Sequence, residues 1–275
     1  MKKLFISADI EGTAGIAHWD ETEYGKKDYN YFREQMSREV AAACEGALAA
    51  GVGEILIKDA HDGGRNIVPT MLPQNGSVKI FRSSAKHPYI MMAGLDESFE
   101  GIVFTGYHSG AEMPFNPLSH TMTGRANHVL LNGELCSELM LNSLTAAMLG
   151  VPVYCVTGDK GLCDWIQSVN PNIQTVPVSE GHGNGSISIH PIVAVQRIRE
   201  TVQNIFSQPH IHIYKEKKDF MYPLPEHFVL EINYKQHFDA LNASWYPGCV
   251  QTGARSVRFE SDSYMDVLQC VYWIL

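Results

Sequence analysis

The first apolar run of the sequence, "FISADIEG" (residues 5–12), ends in two carboxylates, Asp9 and Glu11, spaced one residue apart. In an extended chain, residues two positions apart point to the same side, so both acids are expected on one face at the end of a buried strand. Two like charges in that position repel each other, and without a nearby cation one carboxyl pKa would rise strongly. The pair therefore raises the question of which positive group compensates it.

Two further apolar runs end in histidines: "EILIKDAH" reaches His61 and "GIVFTGYH" reaches His108. Because parallel strands bring their carboxyl ends to one edge of a sheet, we expect these side chains to converge with Asp9 and Glu11. Taken singly, each has an ordinary structural interpretation, such as a helix cap or a loop histidine bonded to backbone. Asp, Glu and neutral His are, however, the ligands of zinc and related divalent metals. Their common position at strand ends predicts a metal site.

The elements that position these residues alternate between strands and helices, which indicates an α/β fold with a parallel sheet and crossover helices. Helices are predicted from Asp28 to about Ala50, from about Ser137 to Met148, after Asp159 and over about residues 191–206. The dipeptide Asn132-Gly133 predicts a hairpin. The βα order becomes less regular after Gly181, so we place a soft boundary there. It separates an α/β domain with the metal site (1–180) from a smaller α+β subdomain (181–275).

Composition limits the classes of partner and compartment. The chain has 275 residues, 45% of them hydrophobic, and a net charge of −9, which argues against a nucleic-acid or anionic-membrane partner. Its six cysteines form no CxxC pair, so reduced, buried thiols are expected. No run approaches the roughly 18 apolar residues of a membrane span. Asp9 and Glu11 also interrupt the apolar start before it reaches secretory length. We expect a cytoplasmic protein.

Five segments carry a family resemblance: "ISADIEGTAGI", "IKDAHDGGRN", "FTGYHSGAEM", "PLSHTM" and "NGELCSELMLNS". With "VYCVTGDK" and "WYPGCVQTGARSVRF", they are similar in order and spacing to the motifs of the zinc-dependent D-aminopeptidases of peptidase family M55. The resemblance spans nearly the whole chain. It implies a Rossmann-like parallel-sheet core with helices on both faces, and a smaller α+β C-terminal subdomain. It also implies a catalytic 1–180 domain that hydrolyses N-terminal D-amino acids (D-Ala type) from short peptides.

The resemblance further implies a site with two Zn²⁺ ions per subunit. The family holds them with an Asp-x-Glu pair, two histidines and a glutamate, and the matching positions here are Asp9, Glu11, His61, His108 and Glu138. Asp9 would bridge the two ions. The choice of Glu138 depends on the alignment of "SELMLNS", so Glu134 stays open as the last ligand.

His120, in "PLSHTM", matches the catalytic histidine of the family, and the sequence leaves open whether it acts as base or nucleophile. Three carboxylates, two Zn²⁺ and a bridging hydroxide sum to zero charge, which would allow the cluster to be buried. Family members assemble into a decameric, ring-like particle with an internal chamber. A homo-oligomer, with a decamer as the specific expectation, is therefore predicted, and short D-amino-acid-containing peptides are the expected substrates.

One segment departs from the family pattern. "SEGHGNGSISIHP" contains His182 and His190, which we expect to be exposed or at a helix start rather than ligands. Asp159 and Lys160 follow a predicted strand at the same sheet edge. Asp159 is interpreted either as a helix cap or as a residue facing the ligand edge, and both residues stay outside the predicted catalytic set.

Two alternative functions stay open on the sequence. A two-metal site also suits a phosphoesterase or an amidohydrolase with another substrate, since a site does not fix a reaction. Against phosphate chemistry, the sequence has no P-loop, no GxGxxG fingerprint and no Arg/Lys cluster around the ligand motifs. The second alternative is a non-catalytic peptide-binding protein, which the expected cytoplasmic location disfavours.

Overall fold

The computed structural model describes residues 2–207 and 216–275. This part of the chain contains six α-helices and two sheets. The strands are β1 (Lys3–Ala8), β2 (Glu54–Asp59), β3 (Val78–Phe81), β4 (Gly101–Tyr107), β5 (Ala126–Leu131), β6 (Glu134–Leu135), β7 (Val153–Asp159), β8 (Gln174–His182), β9 (Gly185–Ser188), β10 (Phe228–Tyr234), β11 (Val250–Gly253) and β12 (Ser256–Ser261). The helices are α1 (Tyr29–Ala49), α2 (Glu138–Met148), α3 (Lys160–Val169), α4 (Pro191–Ser207), α5 (His237–Ala243) and α6 (Tyr264–Ile274).

The larger sheet has the strand order β3-β2-β1-β4-β7-β8-β9 and is parallel except for β9. On one side of β1, the strands follow in chain order from β2 to β3. On the other side, they follow in chain order from β4 to β9. The direction of winding therefore reverses between β1 and β4. In open α/β sheets, the crevice at the carboxyl ends of the strands beside such a reversal is the usual ligand site. The α/β prediction is confirmed, and the topology singles out the edge formed by β1 and β4.

Alternate side chains of β1 pack on opposite faces of this sheet, as expected for a strand buried on both sides. Leu4 and Ile6 belong to the core under α1 and α4, whereas Phe5 belongs to the core shared with α2 and α3. Gly46 lets α1 and α4 approach closely, because a Cβ at that position would lie 2.4 Å from the carbonyl oxygen of Arg199. Helices therefore cover both faces, as predicted.

The second sheet is antiparallel, with the order β11-β12-β10-β5-β6. Its β5–β6 hairpin precedes the boundary placed near residue 181, while β9 follows that boundary and belongs to the larger sheet, against which α4 packs. The boundary therefore does not coincide with the division between the sheets, because the hairpin pairs with β10, about 100 residues later in the chain. The division into domains 1–180 and 181–275 stays a prediction.

The six cysteines are free and buried. Within residues 2–207 and 216–275, none of the helices combines the length and apolar character needed to cross a membrane.

Candidate metal centre

The predicted ligands lie at the carboxyl edge of the larger sheet. Asp9 and Glu11 follow β1, His61 follows β2 and His108 follows β4. Backbone hydrogen bonds continue past the strand ends: Asp9 N donates to Thr105 O, and Ala60 N donates to Ala8 O, both at 2.8 Å. Three separate segments are thereby held in fixed relative positions, so the side chains converge although they are far apart in sequence.

The acids and imidazoles form two groups of three potential ligands, each with donor atoms within 4.8 Å of one another. The first contains Asp9, Glu11 and His61, with His61 Nδ1 3.4 Å from Asp9 Oδ1 and 3.1 Å from Glu11 Oε1. The second contains His108, His120 and Glu138.

Asp9 connects the two groups. Its Oδ1 faces His61, whereas its Oδ2 lies 3.5 Å from His108 Nε2. Glu138 Oε1 lies 3.6 Å from the same nitrogen and 3.5 Å from His120 Nε2. A carboxylate with one oxygen directed at each group has the arrangement required of a ligand shared between two ions.

Glu138 is positioned by the start of α2. Ser137 is the N-cap residue, and its Oγ accepts a hydrogen bond from Met140 N at 3.2 Å. A carboxylate in the first turn is favoured by the positive end of the helix dipole, and Glu138 Oε1 also accepts a bond from Met122 N at 2.7 Å. Glu134, the alternative left open by the sequence, is exposed on β6. The structure brings Glu138, and not Glu134, into the cluster.

Each histidine directs one ring nitrogen at a backbone carbonyl: His61 Nε2 at Thr22 O (3.0 Å), His108 Nδ1 at Ser109 O (2.9 Å) and His120 Nδ1 at Leu118 O (2.8 Å). A carbonyl oxygen only accepts, so these nitrogens carry the hydrogen. In the neutral ring, the opposite nitrogen then has a free lone pair directed at the carboxylates. Backbone contacts of this kind fix the tautomer of histidines that bind metals.

Several buried polar atoms at the centre have no hydrogen-bond partner among the residues that the structure describes: Asp9 Oδ2, both Glu11 Oε atoms and His108 Nε2. Their residues are at most 2% exposed. An unsatisfied buried polar group costs about 1–3 kcal/mol, and a charged one costs more. Divalent cations bound among these oxygen and nitrogen atoms would satisfy them, so the donor set fits zinc.

Protonation of the cluster follows from burial and charge. Burial and the negative charge of Glu11 raise the pKa of Asp9 to about 7. Burial also acts to raise the pKa of Glu11, but His61 outweighs it and holds that pKa well below its ordinary value. Burial acts to lower the pKa of His61, but Glu11 and Asp9 outweigh it and raise that pKa well above the ordinary value. Metal ions would have to displace these protons, so metal affinity should rise with pH.

His120 differs from the other two histidines. Burial and the positive charge of His108 lower its pKa, so its ring is disposed to be a neutral base. Its ring is also packed edge-on against Trp19, with 5.1 Å between ring centroids. Trp19 begins a short 3₁₀ helix (Trp19–Glu21) between β1 and α1. No sequence pattern singles it out, since an isolated tryptophan in a polar stretch has no periodicity that would identify it.

Asp159 and Lys160 are both outside the cluster. Asp159 is the N-cap of α3 and accepts from Leu162 N at 2.9 Å, so the capping interpretation is confirmed. It also accepts hydrogen bonds from Ser109 N (2.6 Å) and Ser109 Oγ (2.7 Å), which anchors the backbone directly after His108. Lys160 forms an exposed ion pair with Asp164. The His182 and His190 side chains are exposed, as predicted.

A cavity of about 860 Å³ opens over the cluster. Its base includes Asp9, Glu11 and Glu138, and its volume lies within the usual range for small-molecule sites. The walls are formed by residues from separate segments of the chain, including Trp19, Thr22, Glu23, Tyr24, Asp62, Met122, Thr123, Gly124 and Lys235. The arrangement combines acids and imidazoles able to hold two cations, an imidazole base and room for a short peptide.

Comparisons with known proteins agree with this site. The chain is 28% identical over 273 residues to the D-aminopeptidase of Bacillus subtilis (strain 168), covering 98% of this chain and 95% of that protein. Its fold matches the solved structure of the Zn-dependent D-aminopeptidase DppA from Bacillus subtilis, a self-compartmentalizing protease, with a TM-score of 0.87 and 26% identity. That match covers 99% of this chain and 96% of the other.

The sequence model of the D-aminopeptidase family, peptidase M55, matches residues 1–272. The resemblance inferred from the motifs is therefore confirmed over nearly the whole chain. The protein belongs to the M55 D-aminopeptidase family and is a metallo-aminopeptidase.

Proposed function

We propose that the protein is a dinuclear zinc aminopeptidase that removes N-terminal D-amino acids, of the D-Ala type, from short peptides. The observation that carries this proposal is the pair of three-residue groups joined by Asp9, whose two oxygens face different histidines. Asp9, Glu11 and His61 would hold one ion, and Asp9, His108 and Glu138 the other. Zinc is supported by the Zn-dependent relative and by the mixed oxygen and nitrogen donors.

When bound, the ions supply Lewis acidity, which polarises the scissile carbonyl and eases formation of a nucleophile from water. The protein's own groups orient the substrate and move the proton. Peptide hydrolysis requires removal of a proton from the nucleophile and its delivery to the leaving amine, a role suited to His120 Nε2. Leu118 O fixes the opposite nitrogen at 2.8 Å, and Glu138 lies 3.5 Å from Nε2, where it would stabilise the protonated ring.

Self-association is part of the proposal, with a homodecamer as the specific expectation. Several large apolar side chains are exposed on and around α5 and α6: Phe238, Leu241, Trp245 and Trp273. Trp245 and Trp273 are 80% and 70% exposed, respectively, and both line one surface depression. An exposed apolar surface of this kind is typical of a protein interface, and the structural relative is self-compartmentalizing. Light scattering should give a mass far above that of one 30.6 kDa chain.

The experiment that tests the proposed activity is a substrate panel run on the metal-depleted and zinc-restored protein. D- and L-aminoacyl amides are assayed beside aryl phosphates, and isothermal titration measures peptide binding. We expect cleavage of the D-aminoacyl compounds, loss of activity with chelator and recovery with zinc at two ions per subunit. Full activity after complete metal removal, preferential phosphate release, or tight binding without turnover would each contradict the proposal. The cytoplasm stays the expected compartment.

A further inference from the structure

Lys235 is the only lysine or arginine among the described residues that line the catalytic cavity. It directly follows β10, and its backbone N donates to Arg125 O at 2.8 Å. This bond places the base of the side chain beside Gly124, in the wall formed by residues 122–124. Among the described residues of this cavity, Lys235 is thus the one ammonium group. The other ionisable groups near it are carboxylates and the imidazoles of His61 and His120.

Neighbouring arginines are engaged elsewhere. Arg125 donates to the terminal residue Leu275 and lies 3.6 Å from Asp239. Arg65 lies over the ring of Tyr24, with 5.7 Å between its guanidinium carbon and the ring centroid. In contrast, the Lys235 ammonium has neither an ion pair nor a hydrogen bond with any residue in the described ranges. It is therefore available to a bound molecule.

The charged groups of a short peptide indicate which of them would bind the Lys235 ammonium. Its positive amine is attracted to Glu23 and Asp62, the cavity carboxylates that are not proposed zinc ligands, while its scissile carbonyl must lie near His120. Beyond the scissile bond, the one anionic group that every free peptide carries is its C-terminal carboxylate. A lysine at the end of a flexible stem is suited to bind this group as a point charge.

We propose that Lys235 binds the C-terminal carboxylate of the substrate and makes the enzyme selective for short peptides with a free carboxyl end. This assignment rests on the proposed aminopeptidase function and specifies its substrate class. Each added residue extends a peptide by at most about 3.3–3.6 Å, so the carboxylate of a long peptide passes beyond the reach of the ammonium. Lys235 is a specificity residue in this assignment, and proton transfer does not require it.

The test compares a D-alanyl dipeptide and tripeptide with the same peptides amidated at the C-terminus. We expect Lys235→Met to lower kcat/KM for the free acids by about tenfold, mainly through KM, and to leave the amides within about twofold. Lys235→Glu should favour the amides over the acids. Lys79→Met is the matched control. Lys79 is an exposed lysine on the edge strand β3, and its ammonium forms an ion pair with Glu54.

If Lys235→Met loses kcat/KM equally for acids and amides, or for neither, the carboxylate assignment is overturned. The proposed aminopeptidase function would still stand. Failure of the zinc-loaded wild type to cleave any of the four peptides would instead overturn the proposed function and the carboxylate assignment with it. Zinc content and thermal unfolding of each variant verify that the exposed substitution leaves the fold intact.

Discussion

The imidazole rings of His108 and His120 are stacked, with 4.4 Å between their centroids and 10° between their planes. Two positively charged groups in this position would repel each other, so a proton on His108, or a cation bound at its Nε2, keeps the His120 ring neutral. The pair therefore divides two roles between identical side chains. His108 offers Nε2 to the cluster, while His120 keeps a basic nitrogen at the cavity wall.

Replacement of His120 should separate catalysis from metal binding. We expect His120→Ala to lower kcat by about 10²–10⁴-fold, because the proton-transfer group is lost. The zinc content measured by elemental analysis should stay that of the wild type, since the other five donors remain. His182→Ala, which changes an exposed histidine at the end of β8, serves as the control and should retain full activity. Comparable kcat in the two variants would contradict a catalytic role for His120.

Glu138 and Glu134 provide a matched pair for the metal-binding prediction. Glu138→Gln removes a buried charge that faces two histidines, and we expect it to weaken zinc binding and abolish most activity. Glu134→Gln changes an exposed carboxylate four residues earlier and should alter neither property. Zinc titration with competing chelators measures the difference. A larger loss of affinity in Glu134→Gln would assign the last ligand to that residue instead.

Gly12 allows the strand ends to approach closely enough to form the site. A Cβ at this position, directly after Glu11, would lie 1.8 Å from Tyr107 O, the carbonyl oxygen of the residue before His108. Gly12→Ala must therefore separate β1 from β4, and we expect a loss of about 1–3 kcal/mol in the free energy of unfolding together with weaker zinc binding.

Gly76→Ala is the control for this effect, because a Cβ at that exposed position would have no atom of the described part of the chain within 4 Å, its chain neighbours aside. Its unfolding free energy and zinc affinity should match those of the wild type. Equal free energies of unfolding of Gly12→Ala and Gly76→Ala in denaturant titrations would contradict this prediction. They would show that the contact between residue 12 and Tyr107 tolerates a methyl group.

Glu39, on α1, should make stability depend on pH. Its Oε1 accepts from Ala14 N and Gln35 Nε2, and burial raises its pKa from 4.5 to about 7. Between these values the folded state holds a proton that the unfolded state has released. This contribution to the free energy of unfolding therefore falls as pH rises from about 4.5 to 7, by up to about 3 kcal/mol.

A glutamine at this position retains the accepting oxygen and removes the titration. We expect Glu39→Gln to gain stability relative to the wild type between pH 5 and pH 8, as measured by urea unfolding. Glu45→Gln, at an exposed glutamate of the same helix, is the control and should show no such gain. A constant difference between Glu39→Gln and the wild type across this range would contradict the titration of Glu39.

Local sequence patterns were sufficient for the elements that carry the site. The helix predicted from about Ser137 to Met148 is α2, which begins at Glu138 with Ser137 as its cap. The predicted hairpin has φ angles of 52° at Asn132 and 84° at Gly133, a conformation that these two residue types tolerate best. Such features depend on neighbours within a few positions, so a single sequence expresses them directly.

The convergence of Asp9, His61 and His108 was also predictable, because the fold class fixes where parallel strands end. The residue types and their strand-end positions were thus determined by the sequence itself. Tertiary structure decided the rest: which oxygen of Asp9 faces which histidine, the choice of Glu138 over Glu134, and the placement of Trp19 and Lys235 in the cavity wall. These depend on packing between segments more than 200 residues apart in the chain, and no periodicity in the sequence records which distant surfaces come into contact.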